Sequence, residues 1–195
     1  RHRIRLHDTS LENLLGEIAK SVKDGKRVLV VANRVAQAQD IYCKLKEDLK
    51  GYDIRLLHSR FIRRDRVEKE QDIIKALKFE NSEKVQILVA TQVVEVSLDI
   101  SFDVIYTEIA PVDDLLQRFG RVNRYGHNPD GAEVHIATEF DQKRLSNVYD
   151  EEILIGTLKN APHDGTHLTV GITTEWVSKV YENGWPSKGQ KRYEE

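Results

Sequence analysis

Arg27-Val28-Leu29-Val30-Val31-Ala32 decides the class of fold. Its apolar residues run on without polar alternation, as in a strand covered by other elements on both faces. Upstream, Leu11, Leu14, Leu15, Ile18 and Val22 share one face of a helix, opened by a Thr9–Glu12 capping box and stopped by Gly25. Downstream, Val35, Ala38, Ile41, Tyr42, Leu45 and Leu49 mark a second helix ending at Gly51. Ile54–Leu57 reads as a short strand. Residues 63–79 form a helix with Val67, Ile73, Ile74 and Leu77 inward. Residues 85–90, 104–107 and 133–137 are further strands, and a helix starts near Asp113. Short apolar strands alternating with helices of ten or more residues imply right-handed βαβ units around a parallel sheet.

After about Asp141 the alternation stops. One helix is expected over 142–159, a loop over 161–166, and a short helix with Trp176, Val177, Val180 and Tyr181 on its apolar face, closed by Gly184. Residues 185–190 read as a linker. The chain thus divides into an α/β domain at 1–140 and a helical extension at 141–195.

The 195 residues are 39% hydrophobic and 32% charged, a globular composition with core enough for one domain. No apolar run approaches the ~20 residues of a membrane span, and residues 1–6 are basic without the apolar core of a secretory signal. Thirty Lys and Arg against 32 Asp and Glu give a formal charge of −2, which argues against a general electrostatic grip on nucleic acid. One cysteine, Cys43, excludes an internal disulfide. Among the seven histidines, His127, His135, His163 and His167 have spacings that do not suggest zinc, and no metal site is expected. A chain that starts at Arg1 and holds no methionine reads as a piece of something longer.

Chemistry concentrates in four places. Residues 117–124 read Gln-Arg-Phe-Gly-Arg-Val-Asn-Arg. As a helix they bring Gln117, Arg121 and Arg124 within roughly 60° of one another, with Leu115, Phe119 and Val122 opposite. Guanidinium forks stay charged and bind two phosphate oxygens at once, and Gly120 admits a close neighbour. The plainer alternative is a solvated helix face. Residues 90–100 leave the carboxyl end of a buried strand, where open parallel sheets bind ligands. Thr91 and Gln92 stand there, with Ser97 and Asp99 a turn later; Asp99 as a mere cap or turn residue is the alternative. His58-Ser59-Arg60-Phe61, with Arg63, Arg64 and Arg66, is the densest basic stretch. It suits a nucleic-acid backbone, unless it only solubilises a surface helix. Asn33-Arg34 closes the first core strand, where Asn is also a common cap.

Residues 90–100 and 117–124 resemble motifs V and VI of superfamily-two helicases. Taken in order, residues 28–33, 58–66, 90–103 and 110–124 are similar to the second RecA-like domain of the CRISPR-associated helicase-nuclease of type I systems. His-Ser-Arg-Phe at 58–61, Thr-Gln-Val-Val-Glu at 91–95, Ser-Leu-Asp-Ile at 97–100, and Ala-Pro at 110–111 before Leu-Leu-Gln-Arg carry the closer assignment. Generic RNA helicases usually have Asp at Gln92 and Gly at Ser97 and Asn123.

The resemblance implies a RecA-like, three-layer α/β fold and an ATP-driven motor moving 3′ to 5′ on single-stranded DNA. Arg121 and Arg124 would reach the γ-phosphate of ATP, with Gln117, Ser97 and Asp99 on the nucleotide. Asn33, Arg34, Ser59, Arg60, Arg66, Thr91 and Gln92 would face the nucleic acid, and Arg118 would brace the motif through a carboxylate such as Asp99. The Walker A lysine and Asp-Glu-x-His motif belong to a first RecA-like lobe, which would hold most of the Mg²⁺. Other implied partners are a CRISPR surveillance complex and an HD nuclease, in the cytoplasm. Other superfamily-two motors, including restriction translocases and RNA helicases, and a non-catalytic RecA-like nucleic-acid-binding module remain alternatives.

Overall fold

The structure is a computed structural model. It describes residues 2–60, 63–78, 85–97, 99–145, 147–182 and 184, apart from the side chains of 63–66, 77, 78, 96, 97, 142 and 144. The expected inward Leu77 side chain and the linker at 185–190 lie outside that description.

Among the described residues seven strands form one sheet: β1 (His2–His7), β2 (Val28–Val31), β3 (Ile54–Leu57), β4 (Ile87–Ala90), β5 (Val104–Glu108), β6 (Ala132–Ala137) and β7 (His167–Leu168), in the order β3-β4-β2-β5-β6-β1-β7. All neighbours are parallel except β1 and β7. Among the described residues the sheet is accompanied by a 3₁₀ turn (Leu11–Leu14) and helices α1 (Leu15–Lys23), α2 (Val35–Asp48), α3 (Arg63–Lys78), α4 (Val93–Ser97), α5 (Val112–Phe119), α6 (Gln142–Leu145), α7 (Glu151–Lys159) and α8 (Val170–Val180). This is an α/β, RecA-like fold.

Both sheet faces are buried, which is why β2 is apolar throughout. Val28 and Val30 pack with Ile18 and Val22 of α1 and Ile41 and Leu45 of α2. Leu29 and Val31 face the other way, into a core shared with Ile73 of α3, Val94 of α4, Leu115 and Phe119 of α5, Leu154 of α7 and Trp176 of α8. The register aligns Val31 with Ala90 and Thr107, and Ala90 with Leu57. The loops that follow β2, β3, β4 and β5 therefore leave the sheet side by side.

Several expectations are corrected. Residues 2–7 are a strand, held by parallel pairing to β6. The Thr9–Glu12 capping box does not form; Ser10 precedes a 3₁₀ turn at Leu11–Leu14 without a side-chain cap, and Thr9 Oγ1 accepts from Asn13 instead. Val67 is 44% exposed rather than inward. The helix expected over 142–159 is two, α6 and α7, with Asp150 capping the second through the Glu152 amide. Helix α8 starts at Val170, where Thr169 caps it, and β7 precedes it.

The most consequential correction concerns residues 117–124. Helix α5 ends at Phe119, with Gly120 as its cap. A Cβ on Gly120 would come within 3.2 Å of the Gln117 carbonyl, so the close neighbour is the helix's own last turn. Beyond it Val122 makes a parallel bridge with Phe102, and Asn123 takes φ 46°. Leu115, Phe119 and Val122 are buried as expected. The arginines are thus placed by a helix end and an extended turn rather than by one helical stripe.

Candidate functional site

Arg118, on the last turn of α5, has no exposed surface. A buried guanidinium is tolerable only when its donors are met, and here they are. Nε donates to Glu95 Oε1 at 2.8 Å. Nη1 donates to Thr107 Oγ1 at 2.7 Å and the Glu108 carbonyl at 3.2 Å. Nη2 donates to Tyr149 Oη at 2.9 Å and Asn33 Oδ1 at 3.2 Å. The brace is therefore Glu95, on α4, and not Asp99. Burial pushes the Glu95 carboxyl above its ordinary value against the pull of Arg118.

This cluster joins the segments that follow β2, β4 and β5. The Asn33 backbone amide donates to Glu108 Oε2 at 2.6 Å and its Nδ2 to the Ile109 carbonyl at 2.7 Å. Gln37 donates to Glu108 Oε1 at 2.7 Å. Gln92 Nε2 donates to the Asn33 carbonyl at 3.0 Å and to Tyr149 Oη at 3.3 Å. Burial raises the Tyr149 hydroxyl far above its ordinary value, so it stays protonated, and Asp114 shares it. Tyr181, just past α8, donates to Asp113 at 2.5 Å. Two tyrosines from the carboxyl-terminal extension thus fasten α5.

The other two arginines stand further out. Arg121 is half-buried, and its Nη2 donates to the Glu95 carbonyl. Burial, then the like charge of Arg124, lowers its pKa from the ordinary value, although guanidinium stays charged at any working pH. Arg124 is exposed; its Nε lies 3.1 Å from Asp99 Oδ1, which also accepts from Tyr125 Oη at 3.1 Å. Asn123 sets this geometry. Its positive φ is one that Asn tolerates better than most residues, its amide donates to the Phe102 carbonyl at 2.9 Å, and its side chain clasps both backbone groups of Asn128.

The remaining expected residues divide by exposure. Ser59 and Arg60 are exposed in the loop after β3, and Arg34 is half-buried at the start of α2. Arg66 lies in α3 and Ser97 ends α4; neither side chain is within the description. Gln117 is exposed on the last turn of α5. Asn33 is buried, with both ends of its amide bonded within the protein. Thr91 is 1% exposed, yet its Oγ1 has no hydrogen-bond partner among the described residues. Glu95, Glu108, Tyr149 and Tyr181 were not legible as site residues. Tertiary packing alone brings them in: Glu95 from α4, Glu108 from the end of β5, Tyr149 from the turn before α7 and Tyr181 from the end of α8.

A family model described as "CRISPR-associated nuclease/helicase Cas3, C-terminal" matches residues 24–127, more than half of the 195. The chain belongs to this Cas3 family. The putative CRISPR-associated nuclease/helicase Cas3 of Methanocaldococcus jannaschii is 32% identical over 88% of this chain and 23% of its own length. Crystalline T. fusca Cas3 with ADP superposes with a TM-score of 0.79 at 26% identity, covering 99% of this chain and 25% of that one. A chain of a pre-nicking CRISPR RNA-guided surveillance complex superposes with a TM-score of 0.73 at 26% identity, over 98% and 26%. The Cas3-like domain thus spans about a quarter of these relatives. Its matched segment covers Asn33, Arg60, Thr91, Asp99, Arg121 and Arg124, and stops before Tyr149 and Tyr181.

Proposed function

We infer that this chain is the second motor lobe of an ATP-dependent superfamily-two helicase or translocase that acts on single-stranded DNA in type I CRISPR interference. One observation carries the reading: Arg121 and Arg124 follow the fully paired Arg118 just past the end of α5, their backbones held by Phe102 and Ser101 ahead of β5 and their side chains turned to Glu95 and Asp99. A rigid backing matters because a phosphate-binding group gains most when its geometry is fixed before the ligand arrives.

The donor set fits a nucleotide's phosphates. Two guanidiniums lie close enough for the charge of one to act on the other, and each is a planar fork of five N–H donors. Arg121 and Arg124 would hold the γ-phosphate from this side, with Gln117, Ser97 and Asp99 toward the rest of the nucleotide. Arginines so placed are worth roughly 10³–10⁵ in rate in other phosphoryl-transfer enzymes. An edge this cationic suits anionic oxygens and not a second cation, so Mg²⁺ would be held mainly by the first lobe. The sequence has no phosphate loop, and by itself the chain would turn over ATP negligibly.

Nucleic acid would lie across the neighbouring loops. Ser59, Arg60 and Arg34 offer donors at the surface, with Arg66 on the helix beyond them. Thr91 Oγ1 is a hydroxyl in want of a partner, and Gln92 and Asn33 set the backbone of that edge. Such contacts read the phosphodiester chain and not its bases, as a translocating motor needs. The first RecA-like lobe, an HD nuclease and a CRISPR surveillance complex are the partners this reading implies, in the cytoplasm. Among the described residues no helix is long and apolar enough to cross a membrane.

The test is made in the full-length protein. Arg121→Ala and Arg124→Ala should each lower ATP turnover by orders of magnitude, with nucleotide-free binding of single-stranded DNA unchanged. Arg60→Ala should weaken that binding and lower its log–log salt slope by ~0.7. Near-normal turnover in Arg121→Ala would overturn the assignment of the arginine pair.

A further inference from the structure

The flank of the sheet formed by β6 and β1 carries a second cluster of polar side chains. The register that sets His7 of β1 opposite Ala137 of β6 also sets Arg5 opposite His135, so His7 and His135 are diagonal neighbours on one face. His7 Nε2 and His135 Nδ1 lie 2.9 Å apart, with the rings stacked at 5.1 Å. Glu17 of α1 approaches His7, its Oε1 4.0 Å from His7 Nδ1, the nitrogen next to the one that faces His135. One ligand atom from each of the three residues lies within 4.8 Å of the other two.

We propose that His7, His135 and Glu17 form a binding site for one zinc ion. Two imidazoles and a carboxylate make up a common three-residue ligand set, leaving a fourth position for water. Zn–N bonds of about 2.0–2.1 Å put two tetrahedral nitrogens about 3.3 Å apart, so the rings need to part by only about 0.4 Å. The ion would replace the hydrogen bond the two rings share.

Two surroundings prepare the site. Tyr106 stacks on His135 at 4.3 Å between centroids, which holds that ring in its plane. Glu133 Oε2 lies 3.7 Å from His135 Nε2, behind the nitrogen that faces His7, and is itself held by Arg5 at 2.8 Å. A carboxylate behind a ligating histidine fixes the tautomer and raises its basicity. Arg5 adds a positive charge nearby, offset by Glu133 and by Asp164 at 3.8 Å. The site is invisible in sequence spacing because strand pairing alone brings residues 7 and 135 together. The occupied site would clip β1 and α1 onto β6, at the opposite flank of the sheet from β3.

The test loads this chain with Zn²⁺, dialyses it and counts the metal. One equivalent is expected, with the melting temperature raised by about 5–10 °C at a hundredfold excess of free ion over Kd. His7→Gln should abolish retention and Glu17→Gln should weaken it at least tenfold, and without metal both should melt as the metal-free parent does. Because His7 and Glu17 are not fully buried, these variants remain informative where a change at His135 disrupts folding. Retention below a tenth of an equivalent, or equal retention in parent and His7→Gln, overturns the proposal.

Discussion

Arg118 of the Cas3-like domain donates its Nη2 proton to Tyr149 Oη at 2.9 Å, across the boundary between the segment the family model matches and the extension that follows it. The contact joins the helix that carries the site's first arginine to a residue with no motif of its own.

Tyr149→Phe removes that acceptor and the Gln92 contact in one step. Arg118 keeps Asn33 Oδ1 for the same nitrogen, so the loss should stop at about 1–3 kcal/mol. Urea unfolding of the chain with an unchanged m-value measures it. A variant as stable as the parent would show that the hydroxyl does not hold Arg118.

Thr91→Val should act in opposite directions on stability and function. It replaces a buried hydroxyl that has no partner among the described residues with a methyl group of similar size, relieving a desolvation cost of about 1 kcal/mol. In the full-length protein the same change should weaken binding of single-stranded DNA. Thermal unfolding and an affinity titration, run side by side, check both signs; a destabilised variant with normal binding contradicts the reading.

At Asn123, alanine and glycine should differ. Both lose the clasp on Asn128, but only alanine must hold φ 46° without a side chain suited to it, at about 1–2 kcal/mol extra. Chemical unfolding should therefore rank parent, glycine and alanine in falling stability. Equal losses would mean that the clasp alone matters.

Glu108 supplies a pH test. Burial is the largest influence on its carboxyl and raises its pKa, against the Asn33 amide and Gln37, which lower it. A carboxyl raised on folding favours the folded state fully below its unfolded pKa of about 4.3. That advantage is lost as pH rises through the higher folded value. Glu108→Gln should flatten this component: the stability difference between parent and variant should shift in the variant's favour from pH 4 to pH 7. Denaturant unfolding across that range reads it, and a pH-independent difference would contradict it.

What the sequence made legible followed from locality. Val28–Val31 announced itself because a strand covered on both faces has no polar alternation, and Ile54–Leu57 emerged with the bounds expected of it. Strand β1 did not, since its short His-Arg-Ile-Arg-Leu-His run is held by β6, about 130 residues away. The end of α5 was missed for a related reason. Arginines at 118, 121 and 124 keep helical spacing in the sequence, but Val122 finds its partner in Phe102 and that bridge turns the chain out of the helix. Tyr149 carries no local signal at all, and Tyr181 announced only an apolar helix face and not its bond to Asp113.

Strand β7 is only two residues long, yet its place beside β1 has a consequence for the chain's solubility. An unpaired outer strand is a template on which other copies can assemble. The segment after residue 140 supplies the stopper, with Leu168 buried behind it. A fragment cut at 140 would retain every arginine of the site, but it would present β1 as a bare edge. Its first failure should be strand-to-strand aggregation rather than loss of the motifs.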